Sequence, residues 1–398
     1  MNHGKKKGSL SRRARWAVPG TAVVVTAAVV AALQIPAAQA SPNLPNRTPA
    51  QLLASLSSDA KVPPMTGTVV ETAALGLPQL PQAGNPTSLA SLLTGSHTMK
   101  VYYQDSSHFR LAVPQPESET DVVADGSKLW LWESSSNSVT EFIPPADKGK
   151  VKHSEPKLPQ TPLTPQQAAN QVLAAVGKTT LVSVQANVMV AGEPSYQLVL
   201  APKDPRSLVG RVVIAVDGKY GVPLRVQLYA KGASSPAFQV GYTALQWVTP
   251  APSNFTFTPP KGATVDVVNL GKDGAKPGSQ SKPDTSGFGS YGKSWLTVVA
   301  LPQKDLMQGF GTVAGSSGSA SSPGKQPDIA SANNQGVGVS SQELLNALLG
   351  SAKPVHGTWG SGTLVTTSLV SMLMTGGEVY IGAVQPSVLY AAVGHTTP

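Results

Sequence analysis

From Thr66 onward, apolar and polar positions alternate with a period of two, the pattern of strands that bury one face. Met99, Val101 and Tyr103 alternate with Thr98, Lys100 and Tyr102, and Phe109, Leu111 and Val113 repeat the pattern. Asp125-Gly126 marks a tight turn into Leu129-Trp130-Leu131-Trp132. That strand carries large apolar groups on both faces, so it is predicted to be covered on both sides. The clearest strand follows Gly177. Val182, Val184, Ala186, Val188 and Val190 face one way, and Ser183, Gln185 and Asn187 the other. Further strands carry Tyr196, Leu198 and Leu200, then Val212, Ile214 and Val216, then Leu224, Val226 and Leu228, then Phe238, Val240 and Tyr242. Short turns between such strands predict an antiparallel meander with one dry and one wet face. A sheet this long must curl or close to hide its edges.

The period changes at two places. Thr48-Pro49 precedes Gln51-Leu52-Leu53-Ala54-Ser55-Leu56, and Thr164-Pro165 precedes Gln166-Gln167-Ala168-Ala169 in a run that stops at Gly177. Threonine at the cap and proline in the first turn predict two short helices, candidates to cover the sheet. The fold class is therefore mainly β (α+β): a curved antiparallel half-barrel sheet covered by helices over 48–268. Residues 269–293 are rich in Gly, Ser, Lys and Pro and read as a linker. A small C-terminal α+β domain is expected over 294–398, interrupted by a Gly/Ser-rich insertion at 311–340. Its elements are a strand at Trp295–Val299, a helix at Gln342–Leu349, a hairpin of Leu364–Met374 with Val379–Val384, and a closing helix at Pro386–Val393.

The first 40 residues lie outside this pattern. Lys5, Lys6, Lys7, Arg12, Arg13 and Arg15 precede an apolar run from Thr21 to Leu33, followed by Ala38-Gln39-Ala40. These are the parts of a secretory signal peptide, with cleavage expected between Ala40 and Ser41. The run is shorter than the roughly 20 residues a spanning helix needs; a retained N-terminal anchor is the alternative. Ser11-Arg12-Arg13 fits a twin-arginine signal and Ala14-Arg15-Trp16 departs from it, leaving the export route open. The chain is thus read as exported, in the cell envelope or secreted. The leader also carries six of the 30 basic residues and no acidic one, leaving 24 against 21 in the remainder. With so small a surplus and no basic cluster, no nucleic acid partner is expected.

Candidate chemistry is sparse. There is no cysteine, and no two of the six histidines stand at i, i+4, so neither a metal nor another cofactor is expected. No G-x-S-x-G elbow occurs. Gly287-Phe288-Gly289-Ser290-Tyr291-Gly292 matches G-x-G-x-x-G but lies in the linker, outside the strand–helix context a dinucleotide requires. Asp121, Asp125 and Glu133 read as turn and solvent-face residues. The composition is that of a binding protein, not an enzyme.

Three segments carry a resemblance: Asp125-Gly126-Ser127-Lys128-Leu129-Trp130-Leu131-Trp132, Asp217-Gly218-Lys219-Tyr220-Gly221-Val222-Pro223-Leu224-Arg225 and Asn254-Phe255-Thr256-Phe257-Thr258-Pro259-Pro260-Lys261-Gly262. With the order of elements, they make residues 48–268 resemble the LolA/RseB group of lipoprotein carriers and envelope-stress regulators. The resemblance implies an open half-barrel with a helical lid whose concave face holds acyl chains. The C-terminal segments around Trp295-Leu296-Thr297-Val298-Val299, Gly362-Thr363-Leu364-Val365 and Val379-Tyr380-Ile381-Gly382 resemble the small second domain of RseB, which implies a surface for a membrane anti-sigma factor. This chain departs by its Gly/Ser insertion.

The parity of the strands places Val182, Val184, Val188, Leu198, Ile214 and Val226 on one concave face, with Trp130 and Phe257 expected in the same cavity. Many of the inward positions are Val and Ala, which fill a half-barrel poorly and leave room for an apolar guest. The expected partners are therefore lipid or lipoprotein acyl chains, held by a carrier or chaperone. A regulatory sensor that binds a membrane anti-sigma factor is the alternative, and a structural exported protein with a solid core is a third reading.

Overall fold

A computed structural model describes residues 42–57, 62–75, 94–126, 128–143, 164–174, 177–269, 289–304, 350, 352–393 and 395. The leader with its Ala40–Ser41 junction, the tract at 311–340, most of the tract at 269–293 and the helix expected at Gln342–Leu349 lie outside the described residues.

The first meander runs β1 (Met65–Ala74), β2 (Thr94–Asp105), β3 (His108–Pro114), β4 (Glu119–Asp125), β5 (Lys128–Glu133) and β6 (Ser138–Ile143). A second comprises β7 (Thr180–Val190), β8 (Glu193–Pro202), β9 (Val209–Asp217), β10 (Pro223–Ala230) and β11 (Phe238–Gln246). They join where β11 pairs with β1, and β12 (Thr264–Asn269) adds to β6. The result is a curved, non-closed sheet of twelve strands in the order β12-β6-β5-β4-β3-β2-β1-β11-β10-β9-β8-β7. All pairings are antiparallel except that of β12 with β6. This is the half-barrel that the alternating pattern predicts.

Two helices cover one face. They are α1 (Pro49–Ser57) against β7 and α2 (Pro165–Ala174) against β10 and β11. Both start with the same device. The Thr48 amide donates to Gln51 Oε1 (2.8 Å) and the Gln51 amide to Thr48 Oγ1 (3.2 Å). Thr164 and Gln167 repeat the exchange at 2.9 and 3.2 Å. Each Thr-Pro-x-Gln is a capping box, satisfying helix-end amides before any tertiary contact forms.

A second sheet of six strands has the order β13 (Gly289–Tyr291), β14 (Val298–Pro302), β18 (Glu378–Gly382), β17 (Ser371–Thr375), β16 (Gly360–Thr366) and β15 (Lys353–Gly357). Helix α3 (Pro386–Ala392) buries Val388, Leu389 and Ala392 against it. Three details differ from the sequence reading. Gly289–Tyr291, expected in the linker, pairs with β14. Ser294–Leu296 is a 3-10 turn, which turns Trp295 out of the strand so that its indole Nε1 donates to Thr180 Oγ1 at 2.8 Å. Leu364–Met374 is two strands rather than one, because the Thr367 hydroxyl accepts the amides of Leu369 (3.3 Å) and Val370 (3.0 Å) and closes a turn.

The two sheets are joined by backbone bonds. The Leu208 amide donates to Ala383 O (2.9 Å) and the Gln385 amide to Arg206 O (2.8 Å). The turn at Thr367–Val370 contributes more than a contact. Leu369, 3 % exposed, belongs to the core of the first sheet, and Ser368 Oγ donates to Leu75 O at 3.0 Å. One side chain of the second sheet thus completes the apolar interior of the first.

Candidate functional site

The register aligns one apolar row across five strands. Val184 lies opposite Leu198, Leu198 opposite Ile214, Ile214 opposite Val226, and Val226 opposite Val240. Directly opposed residues of an antiparallel pair share a face, so this row looks toward the helices. Leu198 and Ile214 are 0 % exposed and Val226 2 %, packed in one core with Leu52 and Leu56 of α1 and Ala168 and Ala169 of α2. Val182, Val184 and Val188 are half-buried against the same core. The six valine, leucine and isoleucine positions expected on the concave face therefore meet in one cluster. Its centre is sealed and its β7 rim is partly open.

The parity of β7 does not run unbroken. A bulge between Gln185 and Val188 puts Gln185 opposite Gln197 but Val188 opposite Ser195. One extra residue is inserted, so the register puts Val188 on the face of Ser195, opposite to that of Leu198 and against the expected parity, although its side chain still packs against the same cluster.

Trp130 and Phe257 are placed elsewhere. Trp130 lies opposite Val123, the parity opposite to that of Leu131 and Val122. With Val123 and Val139 it forms a separate cluster on the other face of the sheet, and Phe257 and Ala263 pack over it. The Trp130 and Phe257 ring centroids are 5.5 Å apart. This is the two-sided cover expected of the Leu129–Trp132 strand, supplied by the segment around Phe255-Thr256-Phe257. These two rings do not join the Val184–Val226 row.

Asp121 corrects another reading. It is 1 % exposed, not on the solvent face, and pairs with the Arg110 guanidinium. Burial pushes its carboxyl up to about 6, with Arg110 pulling the other way and Glu119 adding to the rise.

A cavity of about 360 Å³ opens at the β7 rim. It is lined by Val184, Gln185, Ala186 and Asn187 of β7, Tyr196 of β8, and Pro45, Asn46 and Arg47 of the segment before α1. The extended segment before α1 is strapped there: Asn187 Nδ2 donates to Pro42 O (3.1 Å) and Tyr196 OH to Pro45 O (2.7 Å). Leu44 sits over Gly218, where a Cβ would meet Leu44 Cδ2 at 2.7 Å. The Arg47 guanidinium carbon is 5.2 Å from the centre of the Tyr196 ring. Sequence reasoning missed Arg47 and Leu369. The signal for Leu369 was the Thr366-Thr367-Ser368 run inside an apparent strand. Arg47 gave no pattern beyond being a lone cation between prolines.

No family model matches the sequence, and no curated protein matches it. Solved structures do match. The chain is similar to the MucA/MucB complex of Pseudomonas aeruginosa, at 13% identity over 87% of this chain and 95% of that one, with a TM-score of 0.36. It is similar to a LolA superfamily protein from Nitrosomonas europaea at 11% identity, over 53% of this chain and 99% of that one, with a TM-score of 0.22. A putative outer membrane lipoprotein-sorting protein domain from Vibrio parahaemolyticus matches at 11% identity, over 50% and 90%, with a TM-score of 0.18. Among the described residues no group of three His, Cys, Asp or Glu stands ready to hold a metal. No helix among them is long and apolar enough to cross a membrane.

Proposed function

We propose that this chain is an exported, non-enzymatic protein that binds lipid or lipoprotein acyl chains against the apolar face of its half-barrel. The supporting observation is the continuity of that face: the row Val184–Leu198–Ile214–Val226 is apolar throughout and reaches an open cavity at its β7 end. An apolar surface that meets an opening has a use for a greasy guest. Cleavage between Ala40 and Ser41 releases the carrier, and Pro42 begins the strap that shapes the cavity.

A regulatory role is the second reading, and Leu369 favours it. A ligand that lodges in the first sheet's core competes with the side chain the second sheet inserts there. Ligand binding is then felt by the second sheet, the surface through which a membrane regulatory protein would be engaged.

Val184→Arg separates the outcomes. Lining the open rim, an arginine head there reaches water, so the variant keeps its circular dichroism and loses lipid extractable from the exported wild type. Wild-type protein free of extractable lipid, or a variant that retains its full complement, overturns the reading.

A further inference from the structure

We propose that the rim cavity is a headgroup site that selects anionic amphiphiles, a statement about ligand class that rests on the acyl-binding reading above. Three features carry it. The cavity has one cation, Arg47, and three side-chain amides, Asn46, Gln185 and Asn187, and no carboxylate lines it. Arg47 belongs to none of the ion pairs among the described residues, where four other cationic side chains are paired with acids. Val184 lines the same cavity and packs against the apolar core, so a polar wall and an apolar wall meet in one opening.

The geometry fits an acid rather than a base. The Arg47 guanidinium carbon lies 5.2 Å from the centre of the Tyr196 ring, a cation–π distance, and no ion pair among the described residues takes up its N–H groups. A phosphate or carboxylate takes two of those donors in parallel. The Tyr196 ring beneath is itself fixed by its hydroxyl bond to Pro45 O. On β7 the bulge presents Gln185, Ala186 and Asn187 consecutively, where a regular strand would turn every second residue away. A volume of about 360 Å³ lies at the small end of ligand sites, which run from about 300 Å³. It suits a headgroup with the first part of a chain rather than a whole lipid.

The test uses the exported, purified protein and three soluble probes: dodecyl phosphate, dodecyltrimethylammonium and inorganic phosphate, with binding read by calorimetry below the micellar concentration. Dodecyl phosphate is expected to bind best, and Arg47→Gln to weaken it about tenfold, the loss of a charge-assisted pair. Arg211→Gln, on a guanidinium stacked over Tyr229 away from the cavity, leaves binding unchanged. Equal affinity for the ammonium probe, or full affinity in the Arg47→Gln variant with its circular dichroism intact, overturns the anionic selectivity and leaves the acyl-binding reading standing. Inorganic phosphate bound as tightly as dodecyl phosphate overturns the headgroup site in favour of a plain anion site. Failure of both amphiphiles to bind wild-type protein sinks the acyl-binding reading itself.

Discussion

The two ends of the long sheet hide their apolar surface in different ways. On β7–β10 the apolar row looks toward α1, α2 and Leu369, which supply aliphatic or small side chains, and the first charge on that face is the buried Glu71, opposite Val240 on β1. On β3–β6 the opposite face is covered too, under the extended segment that carries Phe255, Phe257 and Ala263. That second core admits charges: Arg110 pairs with Asp121, and Lys128 Nζ lies 2.8 Å from Glu141 Oε1. The cover explains the difference. Helices spread a broad apolar stripe over several strands, whereas a single extended segment covers a narrow strip and leaves flanks where a guanidinium or ammonium stem can lie with its head toward water. A surface of the first kind can run unbroken to an open rim. One of the second kind is closed by its rings and is structural.

Charge in the centre of the first core breaks the comparison most severely. Ile214→Arg places a guanidinium where the native side chain is 0 % exposed, with no acid opposite. Burial of an unpaired charge costs several kcal/mol, so the expected outcome is loss of folded protein, read by circular dichroism and yield. A folded, lipid-free Ile214→Arg protein would show instead that the centre is as open as the rim.

Next is Trp130→Ala, which deletes the largest buried side chain of the second core. A loss of about 3–5 kcal/mol is expected from chemical denaturation. Lipid binding should survive under conditions where the variant remains folded, because the ring faces away from the Val184–Val226 row. Loss of lipid from folded Trp130→Ala protein would join the two cores into one functional site.

The smallest effect sharpens the contrast in charge. The carboxyl of Asp121 titrates at about 6 in the folded protein against an ordinary value of 3.8. The fold therefore favours its neutral form. This contribution to stability is fully present below the ordinary value and is lost as the pH rises through about 6, on the order of 3 kcal/mol. In Asp121→Asn the pH-dependent part should vanish, so the stability difference between variant and wild type changes between pH 4 and pH 7. A constant difference over that range would place the carboxylate in water rather than in the second core.

Much of this architecture was legible along the chain. Alternation in Val182–Val190, Tyr196–Leu200 and Val212–Val216 placed the strands and their dry face, since a period of two follows from the pleat alone. Thr48-Pro49 and Thr164-Pro165 placed the helix starts, since capping is satisfied within four residues. The rim cavity was not legible: of the residues expected in an apolar concave cavity only Val184 lines it, and Gln185 and Asn187 were assigned to the opposite face. The bulge that brings them in is one inserted residue, and both registers alternate equally well until β8 pairs with β7.

The sequence by itself determined the local and the periodic: strands, capped helices and an apolar parity. Tertiary structure decided what depends on partners distant in the chain. It sent Trp130 and Phe257 to a core of their own, because which face a two-sided apolar strand shares is settled by the segment that returns to cover it. It buried Asp121 against Arg110, eleven residues away. It brought Leu369 into the first sheet's interior and Arg47 over Tyr196. No period marks these last contacts, for each is made by a turn or an extended strap whose direction only the docking of whole sheets defines.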